Sequence, residues 1–231
     1  MLTKAVEFLF ILLLLAGVPA LSFLTTRGSR IRQAPRPALY FSAVLSQWFL
    51  AGVGAVVMYF TSQSLAATGF RLVSFSAFSR WAVTLTLISL ATMVLILFLE
   101  RRGRWPEESE LVRHLLPETR QEKLWCIFIL APTAALCEEY LYRGLLFSQL
   151  SGWFHSVSWS WVISSVIFGL AHVYQGLSGV VRAAVLGALL AYPVVRLGSL
   201  YPSMAAHLLI DAVALAWLGP ALLRRRPSLS L

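Results

Sequence analysis

Apolar residues in this chain come in long unbroken runs, not at alternating or one-faced positions. Seven windows stand out, at about residues 5–24, 38–60, 81–99, 124–147, 157–173, 177–197 and 203–220. Each falls within the roughly 17–25 residues over which a helix crosses the hydrocarbon core of a bilayer. In lipid, backbone polar groups have no water to turn to, so only helices and closed barrels span, and uniformly apolar runs of this length predict helices. The expected fold is all-α, a polytopic transmembrane helical bundle of about seven spans.

The charged stretch at 100–123 breaks the pattern and divides the chain. Residues 1–123 form an N-terminal three-span region ending in that stretch. Residues 124–223 form a four-helix group that holds the polar motifs described below. Alternating Glu and Arg within 100–123 predict a solvated amphipathic helix at the membrane surface, not a catalytic element. No internal repeat or low-complexity segment is visible. The run from Val6 to Leu24 resembles a signal peptide, with Pro19-Ala20-Leu21-Ser22 after its apolar part. Arg27, Arg30, Arg32 and Arg36 follow it, then another span, so a retained first transmembrane helix is the better reading.

Composition agrees. Of 231 residues, 58% are hydrophobic and only 13% charged, about half the charged share of a soluble domain. The net charge of +9 would suggest nucleic acid in a soluble chain. Here the arginines sit at the ends of apolar runs, where cytoplasmic loops collect basic residues, so no nucleic-acid partner is expected. With seven spans, the four arginines of 25–37, the basic residues of 100–123 and Arg224–Arg226 fall on one side. Lys4, Arg71, Arg80 and Arg196 fall on the other. That asymmetry predicts an N-out, C-in protein. Trp125, Trp153, Trp159 and Trp161 lie near the expected interfaces. Cys126 and Cys137 lie about 16 Å apart along one predicted helix, too far to bridge.

Ionisable groups inside such runs are costly and mark function by default. Three patterns carry them: Glu138-Glu139-x-x-x-Arg143, Phe168-x-x-x-His172 and His207-x-x-x-Asp211. On a helix, Glu139 and Arg143 share a face with the acid N-terminal to the base, the better order for an ion pair. Glu138 points roughly 100° away and lacks that partner. An unpaired buried carboxylate suits a general base, so Glu139 and Arg143 are read as structural and Glu138 as chemical. His207 and Asp211 also share a face, and an Asp beside a His can fix its tautomer. Counted along straight helices, Glu138 and His207 fall toward the outer half and His172 nearer the cytoplasmic end. Pro132 is a candidate kink that would bring them together.

Together the motifs resemble the CPBP family of intramembrane proteases, which includes type II CAAX prenyl endopeptidases and Abi-type bacterial proteins. Its marks are E-E-x-x-x-R, F-x-x-x-H and H-x-x-x-(N or D), on consecutive membrane helices in that order. The likeness covers roughly residues 120–215. It implies an intramembrane endopeptidase in which Glu138 and His172 activate water, His207 and the last motif residue stabilise the oxyanion, and Glu139 with Arg143 supports the site. Asp211 stands where the family often has Asn. An ionised Asp cannot donate to an oxyanion, so Asp211 either is protonated or orients His207, which then donates alone.

The family has been described both as metalloprotease and as glutamate-type. Glu138, His172 and His207 have the chemistry of a zinc site, but no H-E-x-x-H helix is present, and a metal-free site without a cofactor is expected. The expected partners are the lipid bilayer and a membrane-anchored or hydrophobic peptide: a prenylated C-terminus, a bacteriocin leader or a C-terminal sorting tag. Arginine far outnumbers lysine, which points to a bacterial inner membrane. The competing reading is a non-enzymatic membrane protein on the same scaffold, an immunity-type binding partner or a transporter subunit. The paired broken helices and internal symmetry of a transporter are not found.

Overall fold

A computed structural model describes residues 2–28, 31 and 33–219. Arg30, Arg32, Arg224–Arg226 and residues 220–223 of the expected C-terminal group lie outside the described residues. Among those described there are helices and no strands. Six helices are long and apolar enough to cross a membrane: α1 (Lys4–Arg27), α2 (Arg36–Phe60), α3 (Phe75–Arg101), α5 (Arg120–Phe154), α7 (Val173–Leu197) and α8 (Tyr201–Leu218). The surface helix α4 (Glu110–Leu115) precedes α5, and the shorter apolar helix α6 (Val157–Leu170) precedes α7. The chain is an integral, multi-pass, all-α bundle.

Local chemistry sets the boundaries. Ser74, Ser109 and Ser156 cap α3, α4 and α6 by accepting the amides of Ala77, Val112 and Trp159. Thr119 and Glu122 form a reciprocal capping box at the start of α5. Pro202 sits in the first turn of α8, where its missing N–H has no helical partner to lose. Gly198 closes α7 with φ +63°, a conformation that only glycine adopts without strain.

The fifth apolar window differs from expectation. α6 has 14 residues, about 21 Å at 1.5 Å each, and stops at Leu170, not at residue 173. The His172 side chain ends it: the His172 amide bonds Gly169 O instead of Phe168 O, and His172 Nδ1 takes Phe168 O at 2.8 Å. The turn that follows thus carries the histidine.

The stretch at 100–123 also departs from the expected amphipathic helix. It is a loop, the six-residue α4 and the first turn of α5. Its loop folds inward because Glu108 finds an ion-pair partner in Arg182 of α7 and is fully buried by it. Trp105 Nε1 donates to Ser178 Oγ at 2.9 Å.

Lipid tails are as apolar as leucine, so packing and close approach hold such a bundle together. α1, α2 and α5 meet at Gly54, where an added Cβ would stand 2.7 Å from Leu145 and 3.1 Å from Phe10. α6 and α7 cross at Gly169, whose Cβ would stand 2.7 Å from the Val180 carbonyl. α8 packs on α3 and α5 and is tied to α7 by Ser203 Oγ, which donates to Leu190 O at 2.6 Å. At one end of the bundle the 25–37 segment meets the 100–123 segment, with Arg36 on Glu118 at 2.8 Å and Arg36 Nε on His114 O at 2.6 Å. At the other end, Leu200 N bonds Gly69 O at 2.8 Å.

Candidate active site

Helix α5 is not a uniform α-helix where the first motif lies. Its regular part, Ala131–Glu138, is flanked by wide π-type turns at Cys126–Leu130 and Glu139–Leu146. The first precedes Pro132, which has no N–H to continue α spacing. The second begins between the two glutamates. Such widened turns recur at functional sites. Here both carboxylates reach one histidine on α8, which a straight helix with a 100° step does not favour.

Glu139 is entirely buried, with Arg143 Nη1 at 3.1 Å. The guanidinium lies 4.0 Å from the centroid of the Phe168 ring, so the aromatic residue of the second motif is a cation–π floor for the first. Gly187 of α7 leaves room for this stack, since a Cβ there would stand 3.1 Å from both Arg143 Nη2 and Phe168 Cδ1.

His207 Nδ1 is 2.8 Å from Glu139 Oε1. Its Nε2 is 3.5 Å from Asp211 Oδ2 and 3.9 Å from Glu138 Oε2. His172 Nε2 is 4.0 Å from the same Glu138 oxygen. Because the Phe168 carbonyl can only accept, His172 carries its proton on Nδ1 and turns the Nε2 lone pair toward Glu138. The other oxygen of Glu138, Oε1, accepts from Gln47 Nε2 of α2 at 2.8 Å. The two oxygens thus face different neighbours.

All seven motif residues come together, including His172, which straight-helix counting placed at another depth. The short α6 and the unwound parts of α5 account for this. Two placements differ from the sequence reading. Glu139 touches His207 as well as Arg143, so it belongs to the histidine network and not only to an ion pair. Asp211 lies beside Nε2 of His207, while Nδ1, the nitrogen that an orienting group would hold, belongs to Glu139.

Glu138, His172 and His207 have the right chemistry for zinc. As placed, they do not fit it: the 3.9 and 4.0 Å separations exceed the about 3.4 Å between tetrahedral ligands bonded at 2.0–2.1 Å. Among the described residues no three His, Cys, Asp or Glu side chains are set to hold a metal ion.

Several contributors had no motif to announce them. Gln47 was legible as the lone amide in an apolar run. Arg182 was legible as a cation within a predicted span. Glu108 and Ser109 gave no signal. The turn after His172 is clamped by Ser109, whose Oγ donates to Tyr174 O at 2.8 Å and whose amide donates to Gln175 O at 3.1 Å. Tyr174 N donates to Ser22 Oγ of α1 at 3.2 Å, and Arg182 Nη2 donates to Gln175 Oε1 at 2.8 Å. Burial raises the Glu108 carboxyl above its ordinary range, and Arg182 opposes that rise.

Residues 120–213 match the family model described as Type II CAAX prenyl endopeptidase Rce1-like. The matched segment runs from the start of α5 to α8 and contains all three motifs. No curated protein and no solved structure matches the chain. Over residues 120–213, then, this membrane-embedded bundle is similar to the Rce1-like type II CAAX prenyl endopeptidases, with the three CPBP/CAAX motifs present in order and spacing.

Proposed function

We propose that the chain is an intramembrane endopeptidase that hydrolyses a peptide bond in a membrane-anchored polypeptide, with Glu138 as general base. One observation carries this reading: Glu138 Oε2 faces the Nε2 atoms of His172 and His207 at 4.0 and 3.9 Å. Two acceptors at that separation are bridged by one water with ordinary hydrogen bonds. Water held between Glu138 and His172 gives a proton to Glu138 while its oxygen attacks the scissile carbonyl carbon. The carbonyl π pair moves to oxygen and forms the tetrahedral oxyanion. His207, cationic and held at Nδ1 by Glu139, donates from Nε2 to that oxyanion, the charge for which a fixed donor counts most. As the intermediate collapses, the carbonyl reforms and the C–N bond breaks. Glu138 returns its proton to the leaving nitrogen, giving one new C-terminus and one amine.

Asp211, on the Nε2 side of His207, acts as a second donor when protonated, the part an Asn would play. The base is metal-free in this reading, and the proposed setting is a bacterial inner membrane. The family description points to a prenylated C-terminus as one candidate substrate, beside a bacteriocin leader and a sorting tag.

The test compares membrane-protein termini by mass spectrometry in cells carrying wild type or Glu138→Ala. A terminus that differs identifies the substrate, and a synthetic peptide built on it gives the rate assay. Strong chelation should leave that rate intact; loss restored by added Zn²⁺ overturns the metal-free base. If no terminus differs, the non-enzymatic scaffold is the better reading.

A further inference from the structure

We infer that Gln47, on α2 and outside the segment matched to the protease family, is a positioning residue that fixes the plane of the Glu138 carboxylate. The inference rests on the reading of Glu138 as the base.

The polar residues of α2 do not all behave alike. Ser42 and Ser46 bond carbonyls of their own helix, Leu39 O and Ala43 O, both at 3.0 Å. The longer amide of Gln47 reaches across to α5 and donates to Glu138 Oε1 at 2.8 Å. Its neighbour Trp48 donates from Nε1 to Thr133 Oγ1, also on α5, at 3.2 Å. Two consecutive residues thus pin α2 to the regular part of α5, and Gly54 keeps the helices close one stretch further on. The approach of Gln47 is set by packing on both sides of it.

The terminal torsion of a glutamate is broad and nearly two-fold, so an unheld carboxylate turns freely about its last bond. Neither histidine is close enough to stop that: both stand about 4 Å away, beyond hydrogen-bond distance. The bond from Gln47 holds Oε1 and thereby presents Oε2 to both histidines.

The amide also suits both states of a base. It donates to the carboxylate, and turned over it accepts from the carboxylic acid formed after proton abstraction. Gln47 Oε1 is buried and has no other hydrogen-bond partner, so nothing else locks the amide in one orientation.

The experiment uses the full-length protein in detergent and the synthetic peptide identified above, and measures kcat, KM and melting. Gln47→Met keeps length and shape but loses the amide. Gln47→Asn keeps the amide but withdraws it by one methylene, out of reach. Loss of a hydrogen bond to a charged group predicts a fall in kcat of about ten- to a hundredfold in both. KM should stay within about twofold, since Gln47 acts on Glu138 and not on the substrate, and melting should fall only modestly, with a single cooperative transition retained. Should Gln47→Met melt early, the kcat of Gln47→Asn decides, because that variant adds no apolar bulk. Unchanged kcat in the variants, or a raised KM with kcat intact, overturns the inference. Glu138→Gln, run beside them, separates the two levels. If it still cleaves, the base itself is wrongly assigned; if it is dead while the Gln47 variants are normal, only the role of Gln47 falls.

Discussion

At the scale of single residues, the adjacent glutamates differ in what each touches. Glu139 is buried, ion-paired with Arg143 and hydrogen-bonded to His207, so Glu139→Gln strands a buried cation and removes the charge beside a histidine together. Breaking a buried pair from one side costs about 3–5 kcal/mol. Glu139→Gln and Arg143→Gln should both melt early, and the double variant should regain part of that stability. It should stay inactive, because a neutral amide at 139 can accept from His207 Nδ1 but no longer favours the cation that donates to the oxyanion. A double variant that regains activity would show that Glu139 serves only Arg143. Asp211 has a different expectation. Asp211→Asn supplies a donor beside His207 Nε2 without needing a proton, so it should cleave within about threefold of wild type. Asp211→Leu should lose about tenfold or more, and equal rates for the two would remove Asp211 from oxyanion stabilisation. The ion pair of Glu139 and Arg143 was legible from spacing alone, since i, i+4 is a property of any helix. The bond from Glu139 to His207 was not, because it depends on how α8 docks on α5 and on a wide turn that no residue spacing announces.

At the scale of elements, spans were readable because lipid requires long apolar runs, and their ends were less so. α6 illustrates this. Hydrophobicity continues to residue 173, but the helix ends at Leu170 because His172 takes over a helix carbonyl with its side chain. The position of His172 then depends on two things the apolar pattern cannot show: the clamp from Ser109, Ser22 and Arg182, and the crossing of α6 with α7 at Gly169. The crossing gives a test. A Cβ at Gly169 would stand 2.7 Å from the Val180 carbonyl and 2.8 Å from Ala184 Cβ. Neither is the end of a flexible side chain, so the helices must part. Gly169→Ala should cost about 1–3 kcal/mol by overpacking and should lower kcat as His172 moves away from Glu138. Gly152 of α5 has nothing within 4 Å of an added Cβ, and Gly152→Ala should be neutral or slightly stabilising through helix propensity. Melting and cleavage of the pair decide it; a Gly169→Ala protein as stable and active as Gly152→Ala would mean the crossing does not set the site.

At the scale of the whole molecule, six long helices and one short one have to be threaded through the bilayer. A count of six would place the arginine-rich 25–37 and 100–123 segments consistently but would put both chain ends on one side. The contacts favour seven crossings. α5 leaves the end of the bundle where Arg36 meets Glu118, and the turn after α6 returns to that end, held by Ser109 next to α4. We propose that α6 completes a passage despite its 14 residues. Basic residues concentrate at that end, which the positive-inside rule assigns to the cytoplasm. Cys126 and Cys137 are both buried, so introduced cysteines report against a low background. Glu107→Cys, at a side chain 74% exposed at the arginine-rich end, should escape a membrane-impermeant maleimide in intact cells and react after lysis. Ala66→Cys and Gly152→Cys, toward the opposite end, should react without lysis. Labelling of positions 107 and 152 from the same side would mean that α5 does not cross, and the seven-pass arrangement would fail. The mirror pattern would keep seven passes and reverse the orientation. It would also place the His172 turn and its clamp on the outer face, and any route by which a cytoplasmic polypeptide reaches Glu138 from the Ser109 side would be closed.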